Sequence, residues 1–519
     1  RGRIKRGANG MCAIEAPWRF MRSPARPIVR RPRPRFVFVF AALTLVAGCA
    51  TRPVNPPMAR YDPDKGYRIE RRSENAEDNA TLVILAFSGG GTRAAAFSYG
   101  VLETLRDMQV TTKSGREVRV LDTVDVITGI SGGSFTALAF GLHGEKLFDI
   151  YEASFLKRNV QGELVKRALN PFNWPSLASN GWGRSELAAN MYDELLFNGA
   201  TFKDLKRDGP RILVSATDLA DGTRLIFNPD NFDVLCTDLS SVRLARAAAA
   251  SSAVPVVLSS ITIDNYGGTC GYRPPPWAKL FLDNPDPPRP AARTVKRLQE
   301  LEAFADREHR PFLHLVDGGV SDNVGMRGVL DVLSTFESLH AAGQKTPYDH
   351  VRNIFIFVVN SLATPPNDWD RHENPPALFD VLLKATGTPI DRYSYDTVET
   401  LRDIQARWAS MREVRDAIKP YPALGDRLQT VMRAPDITIR VVDVSFGVLP
   451  DKAERDYLNT LPTSFVLDDD AVDRLRVAAK KAILASPEVQ RLINDNALRI
   501  VGPGPRVGAT FPVVLEPAN

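Results

Sequence analysis

The sequence predicts an α/β chain whose central sheet is mostly parallel and covered by helices on both faces. Three observations lead there. Strand-like apolar runs alternate with helical stretches through the middle of the chain, the pattern of sheets built from crossover units. Three of those runs stop abruptly at glycines: Leu82–Phe87, Val124–Ile127 and Phe312–Val316. Such sheets bind ligands at the carboxyl ends of their strands, where these glycine motifs would fall. With 44% hydrophobic residues, the composition also supplies an ample globular core.

In order, a buried strand at Leu82–Phe87 meets Ser88-Gly89-Gly90-Gly91-Thr92-Arg93, and a helix runs from about Ala94 to Arg106. A strand over Val118–Thr128 follows, then Gly129-Ile130-Ser131-Gly132-Gly133 and a helix from Phe135 to about Leu142. Asn159–Asn180 reads as irregular. Arg211–Thr217 and Leu225–Phe227 read as strands, and Gly267–Arg310 as an insertion rich in proline. After Phe312–Val316 come Asp317-Gly318-Gly319 and a helix-like stretch over Val329–Ala342. Pro376–Ile418 reads as helices, Asp436–Phe446 as an alternating strand, and Asp470–Ile493 as one long helix.

The glycine motifs carry the chemistry. A serine on a sharp strand-to-helix turn has its hydroxyl pushed clear of the backbone, within reach of a substrate carbonyl. Ser131 stands so, with Gly129 and Gly133 as the small neighbours the turn requires. Asp317, at the mouth of another strand, is the candidate acceptor of its proton. An aspartate is a weak base at its usual pKa of about 3.9, so partial burial must raise it. Successive glycines at a helix start let several N–H groups converge where an oxyanion develops, and losing one such donor costs about 2.7–4 kcal/mol of barrier stabilisation.

On four stretches in order the chain resembles the patatin-like phospholipases. These are Gly89-Gly90-Gly91-Thr92-Arg93 as the oxyanion loop, Gly129–Gly133 as the elbow, Ala248-Ala249-Ala250-Ser251-Ser252-Ala253-Val254-Pro255, and Asp317-Gly318-Gly319 with Asn323 after it. The resemblance spans roughly Thr81–Ser361. It implies a three-layer α/β/α fold, a Ser131–Asp317 dyad without histidine, no cofactor, and an acyl-ester substrate, usually a lipid. Ala94 departs from the family, which often has glycine after the arginine.

The same residues admit other readings. The first loop also fits a dinucleotide G-x-G-x-x-A pattern, but that motif wants an acid about 20 residues on, and Asp122 and Asp125 lead into the serine elbow instead. No Lys-Ser or Lys-Thr follows the glycines, as a phosphate loop needs. Of six histidines, His340, His350 and His372 follow Asp317, yet none sits in a glycine-flanked loop after a clear strand. His314 alternates to the opposite strand face from Asp317. No His/Cys cluster has metal-ligand spacing, so no metal is expected.

The net charge of +5 belongs to the amino-terminal segment. Residues 1–48 hold eleven Lys or Arg and one acid, Glu15, leaving 55 basic and 60 acidic residues, a net −5. No basic stripe suggests nucleic acid. Basic Arg30–Arg35, the twelve-residue apolar stretch Phe36–Ala47 and Leu45-Val46-Ala47-Gly48-Cys49 read as a secretory leader, too short to span a bilayer. This resembles a bacterial lipoprotein signal. It implies lipidation of Cys49, and Ala50 after it implies an outer-membrane address facing the periplasm. Met21 is a plausible start, with 1–20 as upstream read-through. The expected plan is a leader over 1–48, a proline-bearing tether over 49–80, a catalytic domain over 81–361 and a mixed C-terminal extension over 362–519 packed on it. The oligomeric state is not legible.

Cys236 and Cys270 are the pair left in the body, either a disulfide in an oxidising compartment or two buried thiols. Trp277–Leu282 in the insertion reads equally as an apolar rim at the site or as an excursion docked on the core. Tyr393, Tyr395 and Trp408 are candidates for an acyl pocket or for core. The expected function is serine acyl hydrolysis of membrane lipid esters. An acyltransferase using the same acyl-enzyme, or a non-catalytic envelope scaffold, are the alternatives.

Overall fold

A computed structural model of the chain describes residues 51–67, 80–112, 115–179, 182–287, 292–346, 348–364 and 369–501. The leader 1–48, Cys49 and residues 68–79 of the expected tether lie outside the described residues.

The centre is an eight-stranded sheet. Its strands are β1 (Thr81–Phe87), β2 (Val126–Ile130), β3 (Arg211–Asp218), β4 (Ile261–Asp264), β5 (Phe312–Val316), β6 (Asn353–Asn360) and β7 (Thr438–Ser445), in the order β7-β6-β1-β2-β3-β5-β4, with Arg224–Ile226 paired to β3. From β7 to β3 every pairing is parallel; β5 and β4 add an antiparallel edge. Parallel neighbours fit strands buried on both faces.

Alternation along β1 builds both cores. Val83, Leu85 and Phe87 face one layer, which holds α1 (Gly91–Arg106), α2 (Gly132–His143), α3 (Leu244–Ser251) and, from the extension, α6 (Asp469–Ala485). Ile84 and Ala86 face the other, which holds α4 (Arg327–Ala341) and α5 (Leu378–Ile418). The three-layer α/β/α arrangement is therefore present. Close helix contact explains Gly100 in α1, where a Cβ would lie 2.6 Å from the Cα of Arg476 in α6.

Several elements differ from expectation. The strand expected over Val118–Thr128 is interrupted by a tight turn at Val120–Thr123, where the Thr123 hydroxyl bonds the Val120 carbonyl at 2.7 Å and competes with the sheet. Asn159–Asn180 contains the helix Val160–Leu169, because the Asn159 side chain accepts from Gly162 N–H and caps it. The single helix over 470–493 is two, Asp469–Ala485 and Pro487–Asn494, since proline opens a helix but does not continue one. Residues 378–418 form one 41-residue helix despite Pro389.

Residues 51–67 do not behave as a free tether. Arg52 makes a two-pronged ion pair with Asp264 at 2.6 Å, and buried Asn55 bonds Thr237 and the Asp264 carbonyl, both at 2.9 Å. Met58 and Tyr61 donate N–H bonds to the carbonyls of Cys236 and Cys270, whose sulfurs are joined in the structure. Trp277–Leu282 packs with Leu298 and with Leu339 of α4. Leu339 stands twelve residues past the start of α4 at Arg327, about 18 Å along the helix. The segment is thus docked on the core, the second of the two readings. Trp408 is core, and Tyr393 and Tyr395 are half or more exposed on α5. No described helix is long and apolar enough to cross a membrane.

Candidate active site

β2 ends at Ile130, and α2 begins at Gly132. The residue between must reverse the chain in one step, so Ser131 adopts φ 46° and ψ −118°. A non-glycine residue in that region carries strain on the order of 1–3 kcal/mol and needs support from its surroundings. Support is present: the Ser131 N–H donates to Ser251 Oγ at 2.9 Å, and Ser134 N–H and Oγ both donate to the Ser131 carbonyl. Gly132 is required for contact, since a Cβ there would overlap the Gly91 carbonyl oxygen.

The freed hydroxyl of Ser131 donates to Asp317 Oδ2 at 2.9 Å across 186 residues of sequence. Asp317 directly follows the carboxyl end of β5, which runs antiparallel to its neighbour β3. Its N–H donates to the Ala253 carbonyl, and Gly318 N–H to the Ser251 carbonyl. The Ala248–Pro255 stretch thus grips both the serine and the aspartate. Gly319 N–H donates to Asp317 Oδ1 at 2.7 Å. Both residues are nearly sealed, Ser131 at 5% and Asp317 at 7% exposure. Burial pushes the Asp317 carboxyl up from 3.8 to about 6, while the bonds from Gly319 and Ser131 pull the other way. A carboxylate so placed is a stronger base than one in water.

The glycine loop lies against the elbow. Gly89 N–H donates to the Asn323 carbonyl and Thr92 N–H to the Ser464 carbonyl. Neither Gly90 nor Gly91 N–H meets an acceptor among the described residues. Gly132 N–H, at the first position of α2, is a third donor without a helical partner. The candidate oxyanion donors therefore narrow from the whole 89–93 loop to Gly90 and Gly91, with Gly132 added. The Arg93 guanidinium is buried and bonds Ser361, Leu461 and Thr463, so its side chain is not free to meet an oxyanion. Of the histidines set aside above, His340 bonds Asp349 and His314 bonds Thr262. Among the described residues no His/Cys/Asp/Glu group is arranged to hold a metal.

Residues 85–330 match the patatin-like phospholipase family. This stretch is a patatin-like phospholipase domain. Among solved structures, human GIVD cytosolic phospholipase A2 is similar at 14% identity and TM-score 0.38, over 80% of this chain and 63% of that one. VipD from Legionella pneumophila is similar at 9% identity and TM-score 0.26, over 88% and 73%. ExoU from Pseudomonas aeruginosa, solved in complex with SpcU, is similar at 14% identity and TM-score 0.20, over 80% and 73%. The chain spans less than two thirds of the length of the human enzyme. No curated protein matches the chain.

The patatin-like domain ends at Arg327–Leu330 in α4, and β6, β7, α5 and α6 lie beyond it. In the sequence Ser251 carries no assigned role, and nothing there marks Ser361 or Ser464 as partners of the site. Ser251 was legible as a polar residue in an alanine-rich helix end. Ser464 acts through its carbonyl, which has no signature in sequence.

Proposed function

We propose that the chain is a serine acyl hydrolase acting on carboxylic esters of lipids, with Ser131 as nucleophile and Asp317 as general base. One observation carries the reading: the Ser131 hydroxyl, on a strained elbow, is hydrogen-bonded at 2.9 Å to a buried carboxylate beside unpaired glycine N–H groups. Ser131 Oγ attacks the ester carbonyl as its proton passes to Asp317. The tetrahedral oxyanion forms against Gly90, Gly91 and Gly132 N–H groups. Asp317 returns the proton to the leaving alcohol, giving an acyl-Ser131 and a free alcohol. Water, deprotonated by the same carboxylate, then releases the fatty acid and restores the serine.

The test is labelling with a fluorophosphonate probe, with lipid analysis of incubated envelope extract. The reading expects labelling and fatty-acid release by the wild type, and neither by Ser131→Ala. A Ser131→Ala variant as active as the wild type removes the proposal.

We further propose that Cys49 is lipidated and holds the chain at the bacterial envelope, facing the periplasm. The basic, apolar and Leu45–Cys49 regions of the leader support it. Arg52, which is pinned to Asp264, lies three positions after Cys49, so an anchor there would hold the body within about 10 Å of chain from the lipid. Metabolic labelling with an alkyne fatty acid, lost in Cys49→Ala, is the expected result; equal labelling of both rejects it.

A further inference from the structure

We propose that Leu461–Phe465, from the extension beyond the patatin-like domain, is a working part of the active site: it clamps the glycine loop in its donating shape, with Arg93 as the anchor of the clamp. The proposal rests on the hydrolase reading above.

Arg93 sits in the first turn of α1 at 2% exposure. Its Nε donates to the Ser361 carbonyl at 2.8 Å, Nη1 to the Leu461 carbonyl at 2.6 Å, and Nη2 to Thr463 Oγ1 at 3.2 Å. These partners are neutral oxygens, and the Asp391 carboxylate acts only at longer range. Desolvation pulls the guanidinium down to about 10. A buried cation is costly unless its donors are satisfied, and here they are spent on two chain segments instead of a substrate. A planar fork suits that bridging task.

The segment so gripped reaches the loop directly. The Ser464 carbonyl accepts Thr92 N–H at 2.8 Å, and a Cβ on Gly91, at φ 61°, would overlap the Ser464 backbone. On its other side the Phe465 main chain exchanges bonds with Gln161: Gln161 N–H donates to the Phe465 carbonyl, and Phe465 N–H donates to Gln161 Oε1, both at 3.2 Å. The Phe465 ring meets Phe135 edge-on at 5.6 Å, four residues past Ser131 in α2. One five-residue strip therefore touches both the glycine loop and the nucleophile's helix. By taking the Thr92 N–H it leaves Gly90 and Gly91 as the loop's open donors.

Arg93 is thus a positioning residue, and its charge alone should not replace it. The test uses the full chain, a short soluble ester and a fluorophosphonate. Arg93→Lys keeps the charge but cannot bridge Ser361 and Leu461. It should lower kcat and the labelling rate about 10- to 100-fold with KM within about twofold, the signature of misplaced groups. A single glycine inserted between Pro462 and Thr463, both exposed, moves the Ser464 carbonyl while leaving Arg93 intact, and should show the same split. Arg474→Ala, which breaks the surface pair with Glu454 in the same extension, should leave both rates unchanged. Wild-type kcat and labelling rate in Arg93→Lys and in the insertion variant would overturn the clamp while leaving the hydrolase reading intact. A wild type that neither turns over ester nor labels would overturn both.

Discussion

Asp317 offers a prediction whose size follows from its surroundings. Its carboxyl is raised from 3.8 to about 6, chiefly by burial, and in the proposed reaction it must be ionised to accept the Ser131 proton. Activity should therefore rise with pH through about 6, and kcat/KM at pH 5 should be about a tenth of its plateau, following the base's ionised fraction. The same shift has a stability side. A carboxyl whose folded pKa lies above its unfolded value favours folding while protonated. That contribution is fully present below about pH 4 and is lost as pH rises through about 6. The difference of roughly two pH units corresponds to about 3 kcal/mol, since one unit is about 1.4 kcal/mol. Asp317→Asn cannot ionise and keeps what the wild type gives up. It should lose activity on the order of 10³-fold or more, yet at pH 8 be more stable than the wild type by up to about 3 kcal/mol. At pH 4 that advantage should vanish. The assay is denaturant unfolding of both proteins at pH 4 and 8, beside a pH–rate profile on a soluble ester. Asp218, Asp322 and Asp391 are also raised by burial, so the difference between the two proteins at each pH is what isolates Asp317. An Asn variant less stable by the same amount at both pH values, or a rate profile flat down to pH 4, would refute the reasoning.

Gly132→Ala should fold with α2 displaced from the glycine loop, because its methyl would overlap the Gly91 carbonyl; fluorophosphonate labelling should fall at least about 100-fold. Ser251→Ala leaves the Ser131 N–H without its acceptor and should cost about 1–3 kcal/mol of stability, read by urea unfolding, together with slower labelling. Joining Cys236 to Cys270 closes a 34-residue separation, so replacing both with serine should destabilise the chain by about 3–4 kcal/mol in the chain-entropy picture. Excising Trp277–Leu282 should depress activity on vesicles and on a soluble ester alike, since that segment docks against Leu298 and Leu339; a selective loss on vesicles would restore it as a rim.

Much of the fold was legible because its signals are local. Alternating Val83, Ile84, Leu85, Ala86 and Phe87 announce a strand buried on both faces, and a run of glycines announces a turn that side chains would block. Where the fold departs from expectation, a short-range competitor decides. Thr123 turned back on Val120, Asn159 capped a helix in a stretch taken as irregular, and Pro487 divided a long one. Residues 51–67 read as a tether because prolines are common in linkers, but Arg52 and Asn55 had partners some two hundred positions away.

The amino-acid order by itself singled out the Ser131 elbow, because a serine among glycines after a strand tolerates few other backbone shapes. It also singled out Asp317, which the fold brings to 2.9 Å from the Ser131 hydroxyl, and the glycine loop that precedes both in the chain. Only the tertiary structure decided which N–H groups stay open and what holds them. Ser251, Asn323 and Ser464 act on the site through long-range hydrogen bonds, and Arg93 is drawn 368 positions along the chain to Leu461. A main-chain carbonyl is the same atom in every residue, so its place in a site becomes visible only when the chain has folded around it.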